Sequence, residues 1–223
     1  MENNIIMRLK NVVFDLDGTL IDTSRGIFES IRHTAHVMNF PELPDKILMS
    51  FIGPPLWKSF INHYGCSENQ AQEATRVFRE HYQSGTVLHA NLYQGISELC
   101  LKLDSHGIKM GVATNKPHRF AIDLIKHFGL DTYCCSVFGA DEDNVLSKAD
   151  LVHLCMQEMK ANKFDTVLVG DTNNDAIGAN QVGIPFIAVS YGFGFWPHTS
   201  NSEYSCIGVA DSPKQIADIL MAI

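Results

Sequence analysis

Residues 12–20 read Val-Val-Phe-Asp-Leu-Asp-Gly-Thr-Leu, and this stretch constrains the fold more than any other. Val12, Val13 and Phe14 favour a strand, and an apolar run without polar alternation fits a strand covered on both faces. Residues two apart on an extended chain point the same way, so Asp15 and Asp17 leave the carboxyl end of that strand together. In open α/β sheets ligands bind at that end. Two crowded carboxylates repel each other and favour a nearby cation. Gly18 permits a tight turn and lets backbone N–H groups approach an anion. The chemistry indicated is a hard metal ion beside an oxygen-rich anion such as phosphate. A plainer reading is that Asp-Gly-Thr merely turns the chain, so the remainder has to decide.

After Asp22-Thr23-Ser24, which offers N-cap chemistry, apolar residues recur at helical spacing (Ile27, Phe28, Ile31, Ala35, Val37, Met38) until Pro41 and Pro44. Helices are predicted near 47–51 and 57–64, joined by the rigid loop Ile52-Gly53-Pro54-Pro55-Leu56-Trp57, and from Ser67 onward with Ala71, Ala74, Val77, Phe78 and Tyr82 inward. No strand pattern occurs across 24–84. From Tyr93 the chain alternates, with strands expected at 109–113, 136–138, 166–169 and 185–189 and helices between them. A last helix starts at Ser212-Pro213. Such alternation means a parallel sheet with helices on both faces. The expected class is α/β, a Rossmann-like core of about five strands formed by 1–22 and 86–223, with an all-helical insertion at 23–85.

Composition excludes several classes. A net charge of −8 argues against binding a nucleic-acid polymer, which needs a basic surface. No apolar stretch has the length of a membrane span, and the N-terminus lacks a signal-peptide pattern. The six cysteines form no C-x-x-C pair, so reduced thiols packing as small hydrophobes in a cytoplasmic protein are expected. His33 and His36 share a helical face without a third ligand nearby in sequence. The apolar 192–196 stretch, Gly-Phe-Gly-Phe-Trp, reads as a packed loop, with a lid or partner surface as the alternative.

Residues 14–20 resemble the first motif of the haloacid dehalogenase superfamily, most of whose members are phosphatases. Val112-Ala113-Thr114-Asn115 resembles the second motif, Ser147-Lys148-Ala149-Asp150 the third, and Gly170-Asp171-Thr172-Asn173-Asn174-Asp175 the fourth. The third motif is preceded by Asn144-Val145-Leu146, where relatives often carry a Gly-Arg or Gly-Lys pair.

The resemblance implies a Mg²⁺-dependent phosphomonoesterase working through an aspartyl phosphate. Asp15 is then the nucleophile and a metal ligand, and Asp17 the general acid/base, with its carbonyl on the metal. Asp171 is a further ligand. Asp175 either contacts the metal, acts through water, or holds a neighbour. Thr114 and Lys148 bind the phosphoryl group, with Gly18 and Asn115 offering backbone N–H groups. The helical insertion becomes a cap that sets substrate choice through Gly53, Pro54, Leu56 and Trp57, and Lys116 reaches toward the far end of the substrate. The substrate is a small phosphorylated metabolite, with 2-phosphoglycolate first and a nucleoside monophosphate second. A phosphomutase and a non-catalytic phospho-ligand-binding regulator are the alternatives. Whether the chain is a monomer or a homodimer stays open.

Overall fold

The structure is a computed structural model, and it describes residues 9–141, 145–194 and 205–223. In chain order the regular elements are β1 (Asn11–Phe14), β2 (Ile21–Asp22), α1 (Ser24–Val37), α2 (Asp45–Leu48), α3 (Leu56–Tyr64), α4 (Glu68–Gln83) and β3 (Asn91–Leu92). They continue with α5 (Ile96–Ser105), β4 (Lys109–Pro117), α6 (His118–His127), β5 (Cys134–Ala140), α7 (Lys148–Met159) and β6 (Thr166–Gly170). The last are α8 (Asn173–Val182), β7 (Phe186–Val189), β8 (Cys206–Ala210) and α9 (Pro213–Met221).

Two compact units result: Met1–Ile21 with Leu92–Ile223, and Asp22–Asn91. The chain passes between them at the dipeptides Ile21–Asp22 and Asn91–Leu92, which pair as a two-stranded sheet. Residues 86–91 therefore go with the helical unit rather than the core. The reason is local: the buried Ser30 hydroxyl on α1 shares a 2.8 Å hydrogen bond with Thr86, and the Gly26 N–H donates to the His89 carbonyl.

The α/β unit is a six-stranded parallel sheet in the order β5-β4-β1-β6-β7-β8. β1 is central and wholly buried, as its unbroken apolar run predicts. Val13 packs into a cluster with Ala113, Leu168 and Phe186 from neighbouring strands and with Leu151, Val152, Cys155 and Met159 of α7. The chain runs from β1 to one side through β4 and β5, then returns to place β6 on the other side of β1. That reversal opens a crevice at the carboxyl ends of β1 and β6.

The sixth strand, β8, was not expected. Its Cys-Ile-Gly-Val-Ala sequence has glycine at the centre, which weakens the strand signal. A Cβ on Gly208 would come within 2.9 Å of Ile219 Cδ1 on α9, so α9 packs close over the middle of this strand. All six cysteines are unpaired, with Cys100 and Cys155 buried. Among the described residues no helix is long and apolar enough to cross a membrane.

Candidate active site

The crevice is built from the ends of three strands and the starts of two helices. Asp15 follows β1, and its N–H donates to the Val169 carbonyl at 2.9 Å, carrying the β1–β6 pairing one residue past the strand. Thr114 lies near the end of β4 and Asp171 immediately after β6. Lys148 is the first residue of α7, which begins at a capping box of Ser147 and Asp150. Asp175 sits in the first turn of α8, where it forms a second capping box with Thr172. All five side chains are buried.

Lys148 ties the site together. Its Nζ donates to Asp15 Oδ1 at 2.5 Å and lies 2.7 Å from Asp175 Oδ1. The other oxygen of Asp175 accepts from the Thr172 N–H at 2.9 Å and the Thr172 hydroxyl at 2.6 Å. Asp175 is thus held at both ends, and it holds Lys148. Glycines make room: a Cβ on Gly178 would meet Lys148 Cγ at 2.7 Å, and one on Gly170 would meet Asp175 Cγ at 2.5 Å.

Asp171 is held differently. Its Oδ2 accepts from the N–H groups of Phe193 and Gly194 at 2.8 and 2.9 Å, while its buried Oδ1 has no hydrogen-bond partner among the described residues. A buried acceptor left without a donor costs free energy unless a ligand completes it. Asp15, Asp171 and Asp175 bring carboxylate oxygens within 4.8 Å of one another. Three carboxylates against the Lys148 ammonium leave a formal charge of −2, which a divalent cation would balance. The all-oxygen donor set and the orphaned Asp171 oxygen fit such an ion.

The electrostatics follow from burial. Desolvation lifts the Asp15 carboxyl above the usual carboxylate range, with Asp175 and Asp171 pushing the same way and Lys148 opposing. Burial and the neighbouring Asp175 raise Asp171 to about 6, against the pull of the Gly194 and Phe193 N–H groups. Burial works to neutralise Lys148, but the Asp15 and Asp175 carboxylates outweigh it and keep the ammonium charged.

The remaining candidates are placed as follows. Asp17 is half-buried, and both its oxygens are contacted by Lys116 Nζ, at 3.1 and 3.2 Å. Lys116 is therefore turned onto Asp17 and does not extend outward as the sequence suggested. Gly18 has φ +81°, and a Cβ there would fall 2.1 Å from Asp171 Oδ2, so its glycine identity is a packing requirement. Its N–H donates to the Ile21 carbonyl at 2.9 Å. That corrects the expectation that this N–H is offered to a phosphate, because the turn consumes it. Asn115 is exposed beside Thr114. Gly53 and Pro54 are exposed in the helical unit, and Leu56 and Trp57 are half-buried at the start of α3. His33 stacks on His81 at 4.0 Å and joins no metal-ligand group among the described residues. Asn144, Phe195 and Trp196 lie outside the described residues.

Sequence reasoning missed the part of 192–194. The Phe193 and Gly194 N–H groups clamp Asp171, and the Tyr191 hydroxyl donates to the Thr19 carbonyl at 2.8 Å. A Cβ on Gly192 would meet the Gly18 carbonyl at 2.3 Å, and one on Gly194 the Asp171 carbonyl at 2.0 Å. Two glycines flanking an aromatic after a buried strand were the legible signal of this close approach.

Comparison with known proteins agrees with this architecture. Residues 12–189 match the model of the haloacid dehalogenase-like hydrolase family. The chain is 35% identical over 190 residues to a 5'-nucleotidase of Pseudomonas aeruginosa, covering 84% of this chain and 86% of that protein. It is 27% identical over 222 residues to a phosphoglycolate phosphatase of Yersinia pestis, covering 96% and 93%. Among solved structures, a haloacid dehalogenase-like hydrolase from Streptococcus pneumoniae aligns with a TM-score of 0.85 at 28% identity, over 94% of this chain and 97% of that one. With the family model spanning most of its length and the carboxylate–lysine cluster at the matching strand ends, this chain belongs to the haloacid dehalogenase-like hydrolase family.

Proposed function

We propose that this chain is a Mg²⁺-dependent phosphomonoesterase acting on a small phosphorylated metabolite through a phosphorylated Asp15. The observation that carries the reading is the buried cluster of Asp15, Lys148, Asp175 and Asp171, with one Asp171 oxygen that no other described residue engages.

Lys148 holds Oδ1 of Asp15, so the second oxygen attacks phosphorus. As the new P–O bond forms, the ester P–O bond breaks, and the departing oxygen takes a proton from Asp17 to leave as an alcohol. Asp17, now a carboxylate, takes a proton from water as that water attacks phosphorus. The bond to Asp15 breaks, and inorganic phosphate and the free carboxylate result. Thr114 Oγ1 accepts from the Lys116 N–H at 3.2 Å, which leaves its own proton for a phosphoryl oxygen. Lys148, held by two carboxylates, faces the charge that develops on the transferring group. Asp15, Asp171 and the Asp17 carbonyl are the groups that would hold Mg²⁺, with Asp175 supporting them through Lys148. A bound Mg²⁺ would neutralise charge on the phosphoryl oxygens.

Substrate choice is assigned to the helical unit, through Gly53, Pro54, Leu56 and Trp57. 2-Phosphoglycolate is the leading substrate. The 35% identity to a 5'-nucleotidase favours a nucleoside monophosphate as the second reading. The site belongs to a protein acting in the cytoplasm, in keeping with six unpaired thiols. The test is phosphate release with Mg²⁺ across 2-phosphoglycolate, nucleoside monophosphates and sugar phosphates, compared by kcat/KM, with Asp15→Asn as control. Release that is lost in Asp15→Asn supports the reading. Absence of release with every metal and substrate would replace it with a phospho-ligand-binding regulator.

A further inference from the structure

We infer that Lys116 is a positioning residue for Asp17, aimed at it by a bulge in β4, and that it acts on the leaving-group step and not on the far end of the substrate. This deepens the reading above and rests on Asp17 as the acid/base.

The geometry begins in the sheet. The β4–β5 register steps from Thr114–Gly139 straight to Pro117–Ala140, so Asn115 and Lys116 bulge out of the ladder. Bulges re-aim side chains at sheet ends and beside active sites. Two local features hold this one. The Lys116 N–H donates to Thr114 Oγ1 at 3.2 Å, closing a turn over the pair. Gly139 lets the bulged backbone lie against β5, because a Cβ there would meet the Lys116 carbonyl at 2.6 Å. Asn115 is left exposed while Lys116 turns in, its side chain only 4% exposed.

Its target is a carboxylate 99 residues away in sequence. Nζ lies 3.1 Å from Asp17 Oδ1 and 3.2 Å from Oδ2. A lysine meant for a distal substrate group would extend into solvent with its strongly hydrated head in water. This one is buried and contacts both oxygens of one partner. The two-point contact fixes the Asp17 rotamer and keeps that carboxylate apart from the Asp15–Asp171–Asp175 group, where a fourth negative charge would be repelled. With two oxygens in reach, Lys116 keeps one while the other gives or takes the proton. Misplacing an acid/base costs rate through orientation.

The consequence is a dependence on leaving group. An alkyl phosphate needs a proton delivered to its departing oxygen; p-nitrophenyl phosphate, with a stable phenolate, needs little. The experiment measures the first step alone, as the single-turnover rate of alcohol or phenol release at saturating substrate and its half-saturation concentration, for both substrates in wild type, Lys116→Gln, Lys116→Arg and Asp17→Asn, with thermal melts to verify folding. Asp17 is 19% exposed and reaches water, so the Gln variant is expected to fold. Lys116→Gln should lose at least ~10-fold in first-step rate on the alkyl phosphate, bounded by the ~10²–10⁴-fold general-acid effect. It should change the first-step rate on p-nitrophenyl phosphate by less than ~3-fold, with half-saturation steady on both, while the second step, which uses Asp17 as base, slows alike for both substrates. Lys116→Arg should recover part of the loss. Equal first-step losses on both substrates, or a loss confined to half-saturation that follows the charge at the substrate's far end, would overturn the assignment. If Asp17→Asn shows the leaving-group dependence and Lys116→Gln does not, the positioning role alone fails. If Asp17→Asn shows none, the acid assignment fails and takes the Lys116 role with it.

Discussion

Replacing Lys148 by Met removes an ammonium that touches two buried carboxylates while keeping most of the stem that packs over Gly178. The change is close to volume-conserving, so little of its cost comes from a cavity. The electrostatic cost dominates, because Asp15 and Asp175 lose a partner at 2.5 and 2.7 Å. Breaking a buried ion pair by deleting one side costs about 3–5 kcal/mol. At roughly 2–4 °C per kcal/mol for a chain of this size, Tm should fall by about 6–20 °C at pH 8. The deficit should shrink toward acid. Without the ammonium that opposes burial, Asp15 holds its proton more tightly in the folded chain than in the unfolded one. The variant is therefore stabilised as pH falls and penalised as it rises. A melting series from pH 8 to pH 5 without metal, comparing variant and wild type, measures both effects. Turnover should drop by about 10²–10³-fold, the usual effect of removing one preorganised donor to a developing charge. A Tm loss below about 2 °C, or a deficit that does not change with pH, would refute the reasoning.

Three further outcomes are expected. Asp171, raised to about 6 by burial, makes the metal-free folded state bind a proton that the unfolded chain releases. Its contribution to stability is full below about pH 4 and is lost as pH rises through 6. The Tm difference between wild type and Asp171→Asn in chelator should fall over that window and reverse sign of slope with Mg²⁺, which needs the carboxylate; a flat difference would contradict this. Gly194→Ala forces a Cβ to within 2.0 Å of the Asp171 carbonyl, a backbone atom that cannot swing aside. Displacing that clamp should raise the Mg²⁺ concentration for half-maximal thermal stabilisation by about 10–100-fold, as for other groups supporting a metal ligand; an unchanged titration would show that the clamp is dispensable. Trp57→Ala should shift the kcat/KM ratio between 2-phosphoglycolate and a nucleoside monophosphate while leaving p-nitrophenyl phosphate turnover within about threefold, and a uniform loss would point to folding.

What the sequence reveals here depends on the range of the interaction. β1 and β6 are legible because a run such as Val12-Val13-Phe14 or Val167-Leu168-Val169 has no polar alternation and is buried throughout. The helical unit is legible from the spacing of Ile27, Ile31 and Ala35 and of Ala71, Ala74 and Phe78, all buried. β5 runs over Cys134–Ala140, past the expected 136–138, because Gly139 carries weak strand propensity and breaks the pattern that sequence reasoning follows. The capping boxes that aim Lys148 and fix Asp175 are local, spelled by Ser147-x-x-Asp150 and Thr172-x-x-Asp175. Lys116 is the opposite case. Its partner is set by a strand bulge that depends on β5 and Gly139, and nothing within a few residues of Lys116 encodes it. The Asp171 clamp was hidden for the same reason, since a loop 22 residues on supplies the N–H groups.

The most direct measurement is acid-quenched mass spectrometry of Asp17→Asn during turnover of p-nitrophenyl phosphate with Mg²⁺. The first step needs little acid with this substrate, while the second lacks its base, so the phosphorylated protein should accumulate. The account predicts the mass of one added phosphoryl group on the peptide that contains Asp15. Continued phosphate release with no modified protein, or a phosphoryl group on another residue, would contradict it.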